Sequence, residues 1–322
     1  MLDNFPLSAY PSNEPVPVFK ENPEVFFETR MEPLYAPKRD DNGEYIRDPI
    51  TGKLEIGPRA GSFSGVYRND NDNCLGEHKE GSYTLVNNRP FFEGIQEKLI
   101  EYFNADQLLK VKVKDSVSHL GSSVIREYIF ESINSTIESD RHSTTLTFRV
   151  IAWNCFDGST KATVIFGNID SFCTNGLISG QYQASSRKRT SGFVLDTFMS
   201  RMDSGLEQYE KEMIQLQKYA ETPVLIPYVS EFFEKLSGVS ERNAERLNEQ
   251  FKEELSVRGP NLWAVVSTLT NYASHTDGLF PVRDTGNSHE GVTLLNRQSE
   301  VGKWLNSKAW SNLVEKTEYE VV

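Results

Sequence analysis

The chain has 322 residues, 38% of them hydrophobic and 25% charged, with a formal net charge of −12. That length holds one large domain or two modest ones, and the acidic balance discourages whole-surface binding of nucleic acid while leaving room for a local basic stripe. Cys74, Cys155 and Cys173 form no CxxC or Cys/His pattern, so neither a structural zinc site nor a disulfide framework is expected and a reducing cytoplasm fits. The first residues, MLDNFPLSAYPSNEPVP, lack the basic start and apolar run of a signal peptide. No window approaches the ~20 apolar residues that cross a bilayer. The expectation is a soluble cytoplasmic protein with no membrane partner.

Residues 1–80 are rich in Pro, Gly, Asn and Asp and read as an N-terminal arm with hairpins. Asp40-Asp41-Asn42-Gly43 and Pro49-Ile50-Thr51-Gly52-Lys53 read as turn centres. The acidic run before Gly43 lacks the spacing and closing Glu of a calcium loop. A core domain is expected over 81–275. Phe92, Ile95, Leu99, Ile100 and Phe103 recur at helical spacing, predicting an amphipathic helix over 91–104. Leu109, Val111 and Val113 alternate with Lys110, Lys112 and Lys114, predicting a half-exposed strand with a lysine face. That face reads either as edge protection or as a phosphate-facing strip.

Strand continues over 116–130, a polar break follows at 131–143, and Leu146, Phe148, Val150 and Ala152 then alternate with Thr145, Thr147, Arg149, Ile151 and Trp153. Ala162, Val164 and Phe166 answer across Asp157-Gly158, a strong hairpin signal. A long amphipathic helix is expected over 193–220, ended by Pro223 and Pro227. Further helices are expected over 228–237, from Ser240-Glu241 to about 256, and over Asn261 to Ala273. Residues 276–322 read as a loop and then a helix packing back through Trp304, Leu305, Trp310 and Leu313. The predicted fold class is α+β: a curved antiparallel sheet of three or more strands packed against a long helix, with further C-terminal helices.

Three constellations stand out. Cys173-Thr174-Asn175-Gly176 suits a tight strand-to-helix turn, because Asn and Gly tolerate left-handed backbone. It reads as a structural turn, as an anion site built from backbone N–H groups, or as a nucleophile with His119 or His142 as base. The segment Gln181 to Arg189 places Tyr182 ahead of Ser185, Ser186, Arg187, Lys188 and Arg189. Guanidinium forks bind phosphate oxygens and a tyrosine ring stacks on bases, so this is either a path for a single strand or a solvated basic loop. Trp263, Tyr272 and His275 read as core packing with a histidine at a helix C-terminus. No paired-carboxylate, Ser-His-Asp, phosphate-loop or two-metal signature is present, so no catalytic residue, metal or cofactor is expected. Charge is polarised: residues 110–201 hold 11 basic and 8 acidic side chains, a net of +3, whereas 203–256 hold 6 and 12, a net of −6.

SFCTNGL, SSRKRTSG and NLWAVVSTLTNYASH resemble three landmarks of the phage/plasmid-like protein family, a family of unknown function in bacteriophages, prophages and plasmids. The resemblance spans about 80–275. It departs from the family where Arg189-Thr190 lacks an intervening His and where Ser267-Thr268-Leu269-Thr270 replaces the usual Asn-Ala approach. The element order, three strands and then a long helix, is also similar to single-strand annealing recombinases of the Rad fifty-two type, which form rings holding single-stranded DNA in a basic groove. This similarity is one of topology. It implies a DNA-annealing homo-oligomer of a phage or mobile element, acting in recombination or replication in a bacterial host. Arg187, Lys188, Arg189 and Tyr182 would touch the strand, and Lys110, Lys112 and Lys114 would extend the path. The alternative is a protein-interaction or host-takeover factor that engages a host or phage replication protein through its acidic helices. A further alternative is an enzyme centred on Cys173.

Overall fold

Alternation of period two over residues 111–170 produces a large antiparallel sheet, and the 3.6-residue periodicity beyond residue 193 produces the helices on it. The computed structural model describes residues 3–4, 22–108, 111–170, 176–178, 185–187, 193–200, 202–275, 279–281 and 290–320. The elements in chain order are β1 (Asp3–Asn4), β2 (Thr29–Pro37), β3 (Ile56–Arg68), β4 (Cys74–Lys79), α1 (Asn88–Tyr102), α2 (Ala105–Leu108), β5 (Val111–Ser118), β6 (Ser123–Glu138), β7 (Ser143–Cys155), β8 (Ala162–Asp170), β9 (Gly176–Ile178) and β10 (Ser185–Arg187). The helices α3 (Leu195–Met199), α4 (Met202–Glu221), α5 (Ile226–Glu234), α6 (Glu241–Arg258), α7 (Leu262–Ser274), α8 (Glu290–Leu305) and α9 (Lys308–Glu320) follow. The fold is α+β, as the patterning predicts. Among the described residues one sheet runs β1-β5-β6-β7-β8-β10, with β9 also pairing β8, and a second runs β2-β3-β4.

One face of the large sheet carries Val124, Tyr128, Phe130, Phe148, Val150, Ala152 and Val164, packed with Phe91, Phe92, Ile95 and Leu99 of α1. The helices gather a second core around Leu262, Trp263, Val265, Val266 and Leu269 of α7, which also takes in Ile137 and Leu146 from the strands. Trp304, Trp310 and Leu313 join it, so the C-terminal helices pack back as their spacing predicts. Ile125, Ile151, Trp153 and Ile165 form a small cluster from the alternate strand positions.

Three local readings differ from the structure. The strand expected to run through residues 116–130 is broken by a 3-10 turn at His119–Gly121, where Leu120 has φ of 60° and Gly121 of 108°. The polar break expected at 131–143 is mostly strand: β6 continues to Glu138 after a register shift between Phe130 and Asn134, and the turn itself spans only Ser139–His142. Ile133 and Ile137 pack inward there, but the exposed polar residues around them hide the alternation. The single helix expected over 193–220 is two helices, α3 and α4. The signals at the later helix ends hold: the Ser240 side chain accepts from Asn243 N–H to cap α6, and Asn261 accepts from Ala264 N–H to cap α7.

Four arginines are almost wholly enclosed, Arg68 on β3, which pairs with Asp70, and three more in the large sheet and the helices, and each is held by acids. Arg126 on β6 lies under α1, forks onto Asp115 at 2.8 and 3.2 Å, and stacks on Phe26. Arg149 on β7 bonds Glu127 at 2.6 Å and Gln298 of α8 at 2.9 Å. Arg258, closing α6, bonds Asp170 at 3.0 Å, Glu254 at 2.9 Å and the Ser267 hydroxyl at 3.0 Å. A buried guanidinium is costly unless it is paired, and each of these is paired with at least one carboxylate.

Candidate nucleic-acid interface

The basic segment singled out in the sequence enters the fold as an edge strand. β10 pairs antiparallel with β8 in the register Ser185↔Val164, Ser186↔Thr163 and Arg187↔Ala162. This ladder ends where Lys161 precedes β8, so exposed Lys161 lies one residue beyond the partner of Arg187. Lys188, Arg189 and Tyr182 lie outside the described residues. The register nevertheless brings another cation, Lys161, to the end of the sheet where Arg187 closes β10. Sequence reading passed over Lys161 because it stands alone after the Asp157-Gly158 turn. The turn is the signal that could have found it, since a hairpin returns its neighbours to the sheet edge.

That turn is tightly built. The Cys155 thiol donates to Asp157 Oδ1 at 2.7 Å, and Ser159 N–H donates to the same oxygen at 2.8 Å. Burial, then the bond to Asp157, pushes the Cys155 thiol up. It is therefore a protonated donor, the opposite of an activated nucleophile. On the other side of the turn His78 Nε2 meets the Phe156 carbonyl at 2.6 Å, and its ring stacks on Tyr83 at 3.7 Å. These contacts clamp the small sheet to the β7–β8 hairpin.

The lysine face of β5 falls elsewhere. β6, β7 and β8 separate β5 from β10, a distance of roughly 19 Å at about 4.8 Å per strand. Lys112 and Lys114 therefore do not lie on the same sheet edge as Arg187. Lys112 forms an ion pair with Glu131, and β1 pairs alongside at Asp3↔Val113 and Asn4↔Lys112. Lys114 is exposed and stands opposite Glu127. Lys110 lies outside the described residues.

Of the turn Cys173-Thr174-Asn175-Gly176, the first three residues lie outside the described residues, and Gly176 opens β9 in register with Ile169. His142, weighed as a base for Cys173, lies in the β6–β7 turn beside the Arg258–Asp170 pair. Burial, then the Arg258 charge, lowers its pKa, which keeps the ring neutral. In the third constellation Trp263 is core, with the Arg258 guanidinium 5.6 Å from its ring centre. His275 is the C-cap of α7, and its carbonyl accepts from Arg297. Burial pushes the Tyr272 hydroxyl up to about 12. No group of three or more His, Cys, Asp or Glu that could hold a metal ion occurs among the described residues, and no helix among them is long and apolar enough to cross a membrane.

No family model matches the chain, and no curated protein or solved structure matches it either. The landmarks read from the sequence thus stand on their residues. NLWAVVSTLTNYASH is the N-cap, body and C-cap of α7, the most enclosed helix of the second core. Its pattern is accounted for by capping and burial.

Proposed function

We propose that the chain binds single-stranded DNA at the β8–β10 edge of the large sheet, without breaking a bond, and in doing so brings complementary strands together. The observation that carries this reading is the register Arg187↔Ala162, which sets exposed Lys161 beside the start of Arg187-Lys188-Arg189. Phosphate binding needs several cations within one reach and a strand's width of open surface, and an edge supplies the surface. The four buried arginines among the described residues are held by acids. The cations near the edge therefore supply the positive field in an acidic chain.

The test is titration of a fluorescent oligonucleotide against the wild type and the double variant Lys161→Glu, Arg187→Glu. Binding is expected to weaken at least about tenfold, and the slope of log K against log salt to fall by roughly 0.7 for each cation lost. Equal affinity and equal slope for both proteins would remove this edge from the function. A second reading, docking of a basic protein partner, is favoured by one feature. A groove of about 560 Å³ between α1 and α3 is rimmed by Glu93, Glu97, Glu101 and Asp196. Retention of the full chain on an immobilised polyarginine peptide, lost in Glu97→Lys, would favour it.

A further inference from the structure

We infer that the ribbon formed by residues 35–63 is a homotypic contact surface, and that a second copy of this chain covers it. β2 and β3 pair from Thr29↔Arg68 to Pro37↔Ile56, whereas β4 reaches only Phe63–Tyr67. Beyond Phe63 the ribbon has no third strand in the sheet, and not one of residues 30–63 is buried. A two-stranded ribbon with no buried face is marginal in water on its own.

What the ribbon displays is apolar. Tyr35, Tyr45, Ile50, Leu54, Ile56 and Phe63 are between 40% and 93% exposed. Taking about 150–200 Å² for a large side chain, they present roughly 600 Å² of apolar surface summed along the ribbon. A two-fold contact needs no second surface, because the same patch serves both copies.

The charges point to a copy of this chain in preference to a polyanion. Lys38 bonds Glu55, Arg39 bonds Gly43 O and Tyr45 Oη, Arg47 bonds Gly52 O, and Arg59 pairs with Glu80. These four cations are engaged inside the ribbon or at its base. Residues 35–63 hold five basic and five acidic side chains, a net of zero, so the chain's −12 lies entirely outside them. Two ribbons therefore meet without the repulsion that the rest of the molecule would bring. Pro33 and Pro37 remove donors from β2, so side-chain packing carries the contact in place of a longer strand ladder.

The inference is independent of DNA binding, and its test uses no oligonucleotide. Sedimentation velocity of the full chain over roughly 1 to 100 μM is compared with Ile50→Asp, Ile56→Asp and with Ile214→Asp, an exposed residue on α4. Far-ultraviolet circular dichroism checks that each variant is folded. The wild type and Ile214→Asp are expected to self-associate alike, and the ribbon variant to associate at least about tenfold more weakly. A wild type that stays monomeric throughout overturns the inference, even if the ribbon captures some other protein. So does a folded ribbon variant that associates as the wild type does, or an Ile214→Asp variant that is weakened equally.

Discussion

Arg258 shows what a single side chain does in this molecule. Its side chain is 0% exposed and Asp170's is 4% exposed, and their bond joins the end of α6 to the last residue of β8. Asp170 also accepts from the Thr144 hydroxyl at 2.5 Å, so the same carboxylate ties β7 in. Removing one partner strands a buried charge, which costs far more than the pair contributes. Asp170→Ala is expected to lose about 3 to 5 kcal/mol in urea denaturation, and a loss below about 1 kcal/mol would show that water reaches Arg258. His142 sits in the same cluster with its pKa lowered from the ordinary 6.5, by burial first and Arg258 second. The folded state binds fewer protons there than the unfolded chain, so stability is full above pH 6.5 and falls as the pH drops through the lowered value. A urea midpoint that declines from pH 7 downward, and a flatter profile in His142→Gln, are the expected results. Neither buried partnership is visible in sequence, since residues 142, 170 and 258 are far apart in the chain.

At the scale of elements, the hairpin at Asp157-Gly158 was readable because an Asp-Gly pair between alternating runs admits few other conformations. Gly158 has φ of 74°, in the left-handed region that glycine favours. What rests on the hairpin was not readable. A Cβ on Gly76 of β4 would stand 2.5 Å from Asp157 Cα and 2.6 Å from the Phe156 carbonyl oxygen, both backbone atoms. β4 lies against the turn because Gly76 has no side chain. Gly76→Ala is expected to destabilise by about 1 to 3 kcal/mol, read from the thermal midpoint, because neither backbone can yield cheaply. An unchanged midpoint would mean that the small sheet is not seated on the hairpin. The helices gave themselves away by their ends: Ser240 and Asn261 are cap residues followed by apolar periodicity, and both cap in the structure. The β6 extension past Phe130 was not readable, since exposed polar residues surround Ile133 and Ile137, its inward-packed apolar pair.

For the whole molecule, the +3 of residues 110–201 is not a uniform positive surface. Arg126 and Asp115, Arg149 and Glu127, and Lys112 and Glu131 cancel in pairs. The sequence alone determined the α+β class, the strands flanking the turn at 157–158, the helix caps at Ser240 and Asn261 and the apolar stripes that build two cores. Period two, period 3.6 and turn chemistry are local, so local sequence carries them. Tertiary structure alone decided which charges are enclosed and which remain at an edge. It separated the β5 lysines from Arg187 by three strands and left the 35–63 ribbon uncovered. Pairing across a sheet joins residues distant in the chain, and no periodicity encodes that partnership.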